Sequence, residues 1–181
     1  MKLKLFVLLL ALQSAWILGT VAMQEHALAV GKVILLETER VDPRDLLRGD
    51  YVALNYKISD VATNLFSLPV KKDLSAGTTV YVVLAQRGQF YEVVKAGTNR
   101  FEPAADEILL KGRSASRWWN QNTNMVHVEY GIERYYVAEN TGNPSGKITV
   151  SAVVPASGRA SIKEVFVDGK PYVEAMKHEA Q

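Results

Sequence analysis

No cysteine occurs among the 181 residues, which excludes a disulfide framework, a thiolate metal site and a cysteine nucleophile. Histidine is nearly as scarce. His26, His127 and His178 lie far apart with no pair at ligand spacing, and zinc needs three or four converging ligands, so neither a metal nor a cofactor is expected. An excess of charge is missing too. Two of the 21 Lys and Arg are Lys2 and Lys4, and the remaining 19 match the 19 Asp and Glu. A chain that neutralises phosphates needs a basic surplus, so nucleic acid is not an expected partner. Beyond the N-terminal segment, no stretch carries a sustained helical period. At 48% hydrophobic and 22% charged residues, the chain nevertheless has ample material for a core.

What is present first is a greasy N-terminus. Leu5 to Ala22 is an uncharged run of eighteen residues in which only Gln13, Ser14 and Thr20 are plainly polar. As a helix it covers about 27 Å, enough for a hydrocarbon core. A signal peptide with Thr20-Val21-Ala22 as its small-residue site competes with an uncleaved anchor. The length of the run favours the anchor. So do the helix formers that follow, Met23 to Ala29, with Gly31 the first natural stop. In both readings Lys2 and Lys4 hold the short end in the cytoplasm, and the chain beyond Met23 lies outside it. The expected layout is a stub and anchor over 1–30 with the bilayer as partner through 5–22, a β-rich domain over 31–173, and a polar, frayed tail over 174–181.

The remainder reads as strands. In Tyr51–Ile58, Val52, Leu54, Tyr56 and Ile58 share one face while Tyr51, Ala53, Asn55 and Lys57 share the other. Alternating or apolar runs recur at Lys32–Thr38, Thr79–Gln86, Phe90–Lys95, Glu107–Arg113, Met125–Tyr130, Lys147–Val154 and Ala160–Val167, with Pro171-Tyr172-Val173 after an Asp168-Gly169 turn. In Met125–Tyr130 the period turns Val126, Val128 and Tyr130 inward and His127 and Glu129 outward. Arg87-Gly88-Gln89 and Pro155–Arg159 read as hairpin loops. This pattern predicts a mainly β fold, an antiparallel sandwich or barrel-like domain behind a transmembrane helix. One short helix is expected between Asp42 as N-cap and Gly49 after its end, with Pro43 in the first turn.

Gly49 to Tyr56 reads Gly-Asp-Tyr-Val-Ala-Leu-Asn-Tyr. With the lead-in Val41–Arg48 and a second block at Tyr130–Val137, the chain resembles the GDYXXLXY family of bacterial membrane-anchored proteins. In that second region Ala138 and Asn140 stand where the family pattern has Pro and Gly. The resemblance implies an N-terminal membrane segment and a mostly β domain, and no established activity. Read physically, Gly49 can take positive φ at the helix end. Asp50 can accept backbone N–H bonds at the strand entrance. Leu54 and Tyr56 belong to the core, and Tyr51 faces the other way. The motif is thus either a helix-to-strand corner or a binding surface built on Asp50 and Tyr51 together with Glu133 and Tyr135.

Chemistry is harder to find. A Ser–Lys peptidase needs a nucleophile just after its anchor, and no serine lies between Met23 and Gly49. Asp50, Glu133 and Glu139 are the carboxylates that would serve a hydrolase if folding brought them together. Trp118 and Trp119, in a polar stretch between strands, suit a glycan or peptide platform, a bilayer interface or a core edge. No catalytic constellation is complete, so the leading expectation is a non-catalytic module that meets another envelope or membrane protein at the inner membrane, on the extracytoplasmic (periplasmic) side.

Overall fold

The computed structural model describes residues 2–39, 51–67, 74–115, 124–137 and 146–179. Gly49, Asp50, Trp118, Trp119, Glu139 and the expected 42–49 helix fall outside them.

Helix α1 spans Lys2–Ala29. It is long and apolar enough to cross a membrane, and its apolar window is wholly exposed, as a single-pass anchor requires and a core helix does not. It stops where its last turn closes, with Val30 N–H donating to the His26 carbonyl at 3.1 Å and Gly31 N–H to that of Leu28 at 3.4 Å. Strand β1, Lys32–Glu39, begins at the next residue. A Cβ on Gly31 would lie 2.4 Å from Val153 Cγ1, so the corner between α1 and the sheet needs glycine for close approach.

The domain is mainly β and antiparallel, with the sheets stacked as a sandwich. After β1 come β2 (Tyr51–Ala53), β3 (Asn55–Tyr56), β4 (Asp60–Ala62), β5 (Thr79–Arg87), β6 (Phe90–Gly97), β7 (Ile108–Ala115) and β8 (Met125–Glu129). They are followed by β9 (Arg134–Tyr136), β10 (Ile148–Val154), β11 (Ser161–Val167) and β12 (Lys170–Pro171). One sheet runs β12-β11-β10-β1-β3, a second β4-β8-β7-β5-β6, and β2 with β9 form a separate ribbon. Ile34, Leu36, Val150 and Val165 from the first sheet join Val80, Val82, Leu110 and Val128 from the second in one core. Alternation sets those faces.

Two bulges interrupt the period. Val94 is the extra residue where Val83 pairs with Lys95 and Leu84 with Val93. Lys163 is the extra residue where Ser151 pairs with Glu164 and Ala152 with Ile162. The expected hairpins form. Arg87 pairs with Phe90 around Gly88-Gln89, and Val153 pairs with Ser161 across the Pro155–Arg159 loop. The expected turn at Asp168 and Gly169, both at positive φ, lets Val167 pair with Lys170.

Two expectations are corrected. Tyr51–Ile58 is not one strand. Its burial alternates as expected, but the chain leaves β2 at Leu54, joins the first sheet as β3, and turns through a 3-10 segment at Lys57–Ser59. At the C-terminus, Tyr172–Val173 does not continue β12, and residues 174–179 are helical rather than frayed. Helix α2, Tyr172–Glu179, forms because Tyr172 and Met176, four apart, put their side chains into the core.

Candidate functional site

The two sequence blocks meet. β2 pairs with β9 in the register Tyr51–Tyr136, Val52–Tyr135 and Ala53–Arg134. Where β2 ends, Leu54 N–H donates to the Glu133 carbonyl at 2.8 Å. Tyr56, 1% exposed, then sends its hydroxyl to the Ile132 carbonyl at 2.7 Å. Tyr130 answers from the other block, its hydroxyl donating to the Ile58 carbonyl at 2.7 Å. Burial pushes both phenols well above the usual tyrosine range, and the Glu133 charge adds to it. Neither will ionise at neutral pH. They act as donors, holding carbonyls that would otherwise be buried without partners.

Glu133 serves its own turn. Its carboxylate accepts the Tyr130 N–H and, at 2.9 Å, the Gly131 N–H, across a turn in which Gly131 takes φ +84°. A carboxylate collecting adjacent N–H groups closes a tight loop. Tyr135 faces inward and meets the Tyr172 ring edge-on at 5.4 Å. Tyr51 faces outward. Its ring lies 6.1 Å from that of Tyr136, which is 74% exposed, and the Arg134 guanidinium sits 5.3 Å from its centre. Among the described motif residues, then, Leu54 and Tyr56 are buried, Glu133 and Tyr135 are engaged in separate local contacts, and Tyr51 is on the outer face.

The expected carboxylate cluster is described only at Glu133. His127 and Glu129 were expected to share an exposed strand face. Glu129 is exposed, but His127 is half-buried, with Nδ1 2.7 Å from Oδ1 of Asp60, its partner in the β4–β8 register. Sequence reasoning passed over Asp60. The available signal was an acid two residues beyond an alternating strand, too common to select. Ser59, next to Asp60, is buried, and its hydroxyl has no hydrogen-bond partner among the described residues, so no serine–histidine–aspartate relay is assembled here. No group of three or more His, Asp or Glu side chains that could hold a metal occurs among the described residues. A charge cluster on the first sheet joins Glu37 to Lys147 at 2.6 Å and to Lys57 at 2.7 Å. Hydrogen bonds from Lys147, then Lys57, hold the Glu37 carboxyl below the usual range.

The family model of the GDYXXLXY protein matches residues 13–165, from within α1 through most of β11. The chain belongs to the GDYXXLXY family. No curated protein and no solved structure matches it significantly. In this member of the GDYXXLXY family the last fixed tyrosine of the signature, Tyr56, is a structural brace, and the first, Tyr51, is displayed outward.

Proposed function

We propose that this chain is a non-catalytic interaction module, held at the outer surface of the cytoplasmic membrane by α1, that binds another envelope protein through the outer face of the β2–β9 ribbon. The observation that carries the reading is the outward-facing group formed by half-buried Tyr51 with exposed Arg134 and Tyr136. Tyrosine and arginine dominate binding hot spots because each offers a large rigid face together with hydrogen-bonding groups. Arg134 keeps N–H donors for a carboxylate while its plane rests on Tyr51, and Tyr136 offers an apolar face beside it. The matching partner is a polypeptide segment carrying an acidic and an apolar side chain. The short junction at Val30–Gly31 keeps the domain close to the bilayer, which suits a partner in or on the same membrane.

The test is photo-crosslinking in intact cells from a photoreactive phenylalanine at Tyr136. The reading expects one discrete adduct with an envelope protein, lost when Arg134→Glu is added. A diffuse ladder unchanged by Arg134→Glu, or no adduct, would refute it.

A further inference from the structure

The anchor helix carries an amide in a place where lipid cannot satisfy it. Gln13 lies at the middle of the uncharged run Leu5–Ala22, is exposed, and makes no hydrogen bond to any described residue. Thr20, the other polar group on its side, is already satisfied, its hydroxyl donating to the Ile17 carbonyl at 2.8 Å. Hydrocarbon offers neither donors nor acceptors, so a side-chain amide at that depth is stabilised by a partner helix.

The surroundings of Gln13 say what kind of partner. Phe6, Leu9, Gln13, Trp16, Thr20 and Met23 are spaced alternately three and four residues apart, the 3.5-residue repeat of a left-handed helix pair. Leu9, Gln13 and Trp16 of this seam, with Leu12 and Ala15 beside it, line a shallow open hollow on the helix, and Leu9, Leu12, Gln13 and Trp16 have the i, i+3, i+4, i+7 spacing of a hole that takes a side chain from a facing helix. In a single-pass protein two copies lie parallel, so identical residues meet at identical depth. A primary amide is self-complementary, having both donor and acceptor, and two of them related by a two-fold axis can bond to each other.

We propose that α1 pairs in the membrane with α1 of a second copy of this chain, parallel and in register, with the two Gln13 amides hydrogen-bonded across the seam. The proposal rests on the anchored reading above. It adds a defined stoichiometry: two domains presented side by side, and with them two Tyr51–Arg134–Tyr136 faces.

The absence of native cysteine makes the test direct, since any disulfide reports the residue introduced. Leu9→Cys and Met23→Cys on the seam, and Ala11→Cys and Leu18→Cys on the opposite side, are each oxidised in vesicles of the expressing cells. Cross-linked dimer at the first pair and not the second is expected. Adding Gln13→Leu to Leu9→Cys should reduce dimer about three- to thirty-fold, and Gln13→Asn should retain it. Dimer that survives Gln13→Leu but is lost with Gly19→Leu would place the contact on the small-residue face and overturn the seam. So would adducts of Leu9→Cys with a different protein. Intact mass of the membrane-bound chain separates the two failures. A mature chain lacking the first 22 residues defeats the anchored reading itself, whereas a full-length chain that forms no dimer defeats only the pairing.

Discussion

Tyr56 and Tyr130 each hold the segment that carries the other. The Tyr56 hydroxyl reaches the Ile132 carbonyl, two residues beyond Tyr130, and the Tyr130 hydroxyl reaches the Ile58 carbonyl, two residues beyond Tyr56, both at 2.7 Å. Two segments more than seventy residues apart are thereby clasped twice at one place. The signature's last tyrosine is therefore used where the chain passes from the ribbon to the first sheet, at a point where ladder bonds are interrupted and carbonyls need other donors.

Removing either hydroxyl should destabilise the domain and leave the outer face intact. Tyr56→Phe or Tyr130→Phe strands a buried carbonyl, a loss of about 1–3 kcal/mol each. Because the two bonds join the same pair of segments, the double variant should depart from additivity by about 0.5–3 kcal/mol. Urea unfolding of all four proteins measures this. Additive losses would mean that the two bonds act independently.

The same phenols predict behaviour in alkali. A tyrosine whose folded pKa exceeds its unfolded value keeps its proton in the fold after the unfolded chain has lost it. Its contribution is complete below the unfolded value, about 10, and is lost as pH rises above it. Stability should therefore fall from about pH 10 upward. Absorbance of tyrosinate should show most of the eight tyrosines titrating first. Two should ionise only together with loss of β circular dichroism. Smooth titration of all eight in the folded protein would contradict the buried donors.

How much of this was readable beforehand differs by residue. Val52, Leu54, Tyr56 and Ile58 announced a buried face by their spacing, and it is buried. The alternation could not reveal that pairing changes at Leu54, because the partners, β9 and β1, are chosen by segments distant in sequence. Period two places Tyr135 and Tyr136 on opposite faces without saying which one meets Tyr172. Tyr172 and Met176 were missed because two apolar positions in an otherwise polar tail are too few to establish a period. Their helix is stabilised by burial, not propensity. The Asp60–His127 pair depends on cross-strand register, which single-strand patterns do not contain.

Acid should act partly through Glu37. Its carboxyl is held below the usual range by Lys147 and Lys57, so the pair interactions contribute fully above the unfolded glutamate value and fade as pH falls from there through the lowered folded one. Both lysines are exposed, and solvent screening keeps the contribution small. The stability difference between the native chain and Glu37→Gln should be measurable at neutral pH, shrink towards zero in acid, and diminish with added salt. A difference independent of both would mean that Glu37 acts through packing.

The junction between α1 and the β domain offers the sharpest steric prediction. Gly31 has ordinary φ, so its role is space alone. An added Cβ would meet Val153 Cγ1 at 2.4 Å and the Val154 backbone at 3.2 Å. Val153 is buried, and its branched side chain has little freedom to yield. Gly31→Ala should therefore cost about 1–3 kcal/mol by overpacking. Val153→Ala should also destabilise the domain by itself, through lost burial. The double variant Gly31→Ala/Val153→Ala should recover part of the loss, since the new methyl occupies the space that the valine vacates. Thermal unfolding of the four proteins decides it. Losses that merely add would show that the corner relaxes in some other way, and that the close approach of β10 does not set how α1 leads into the sheet.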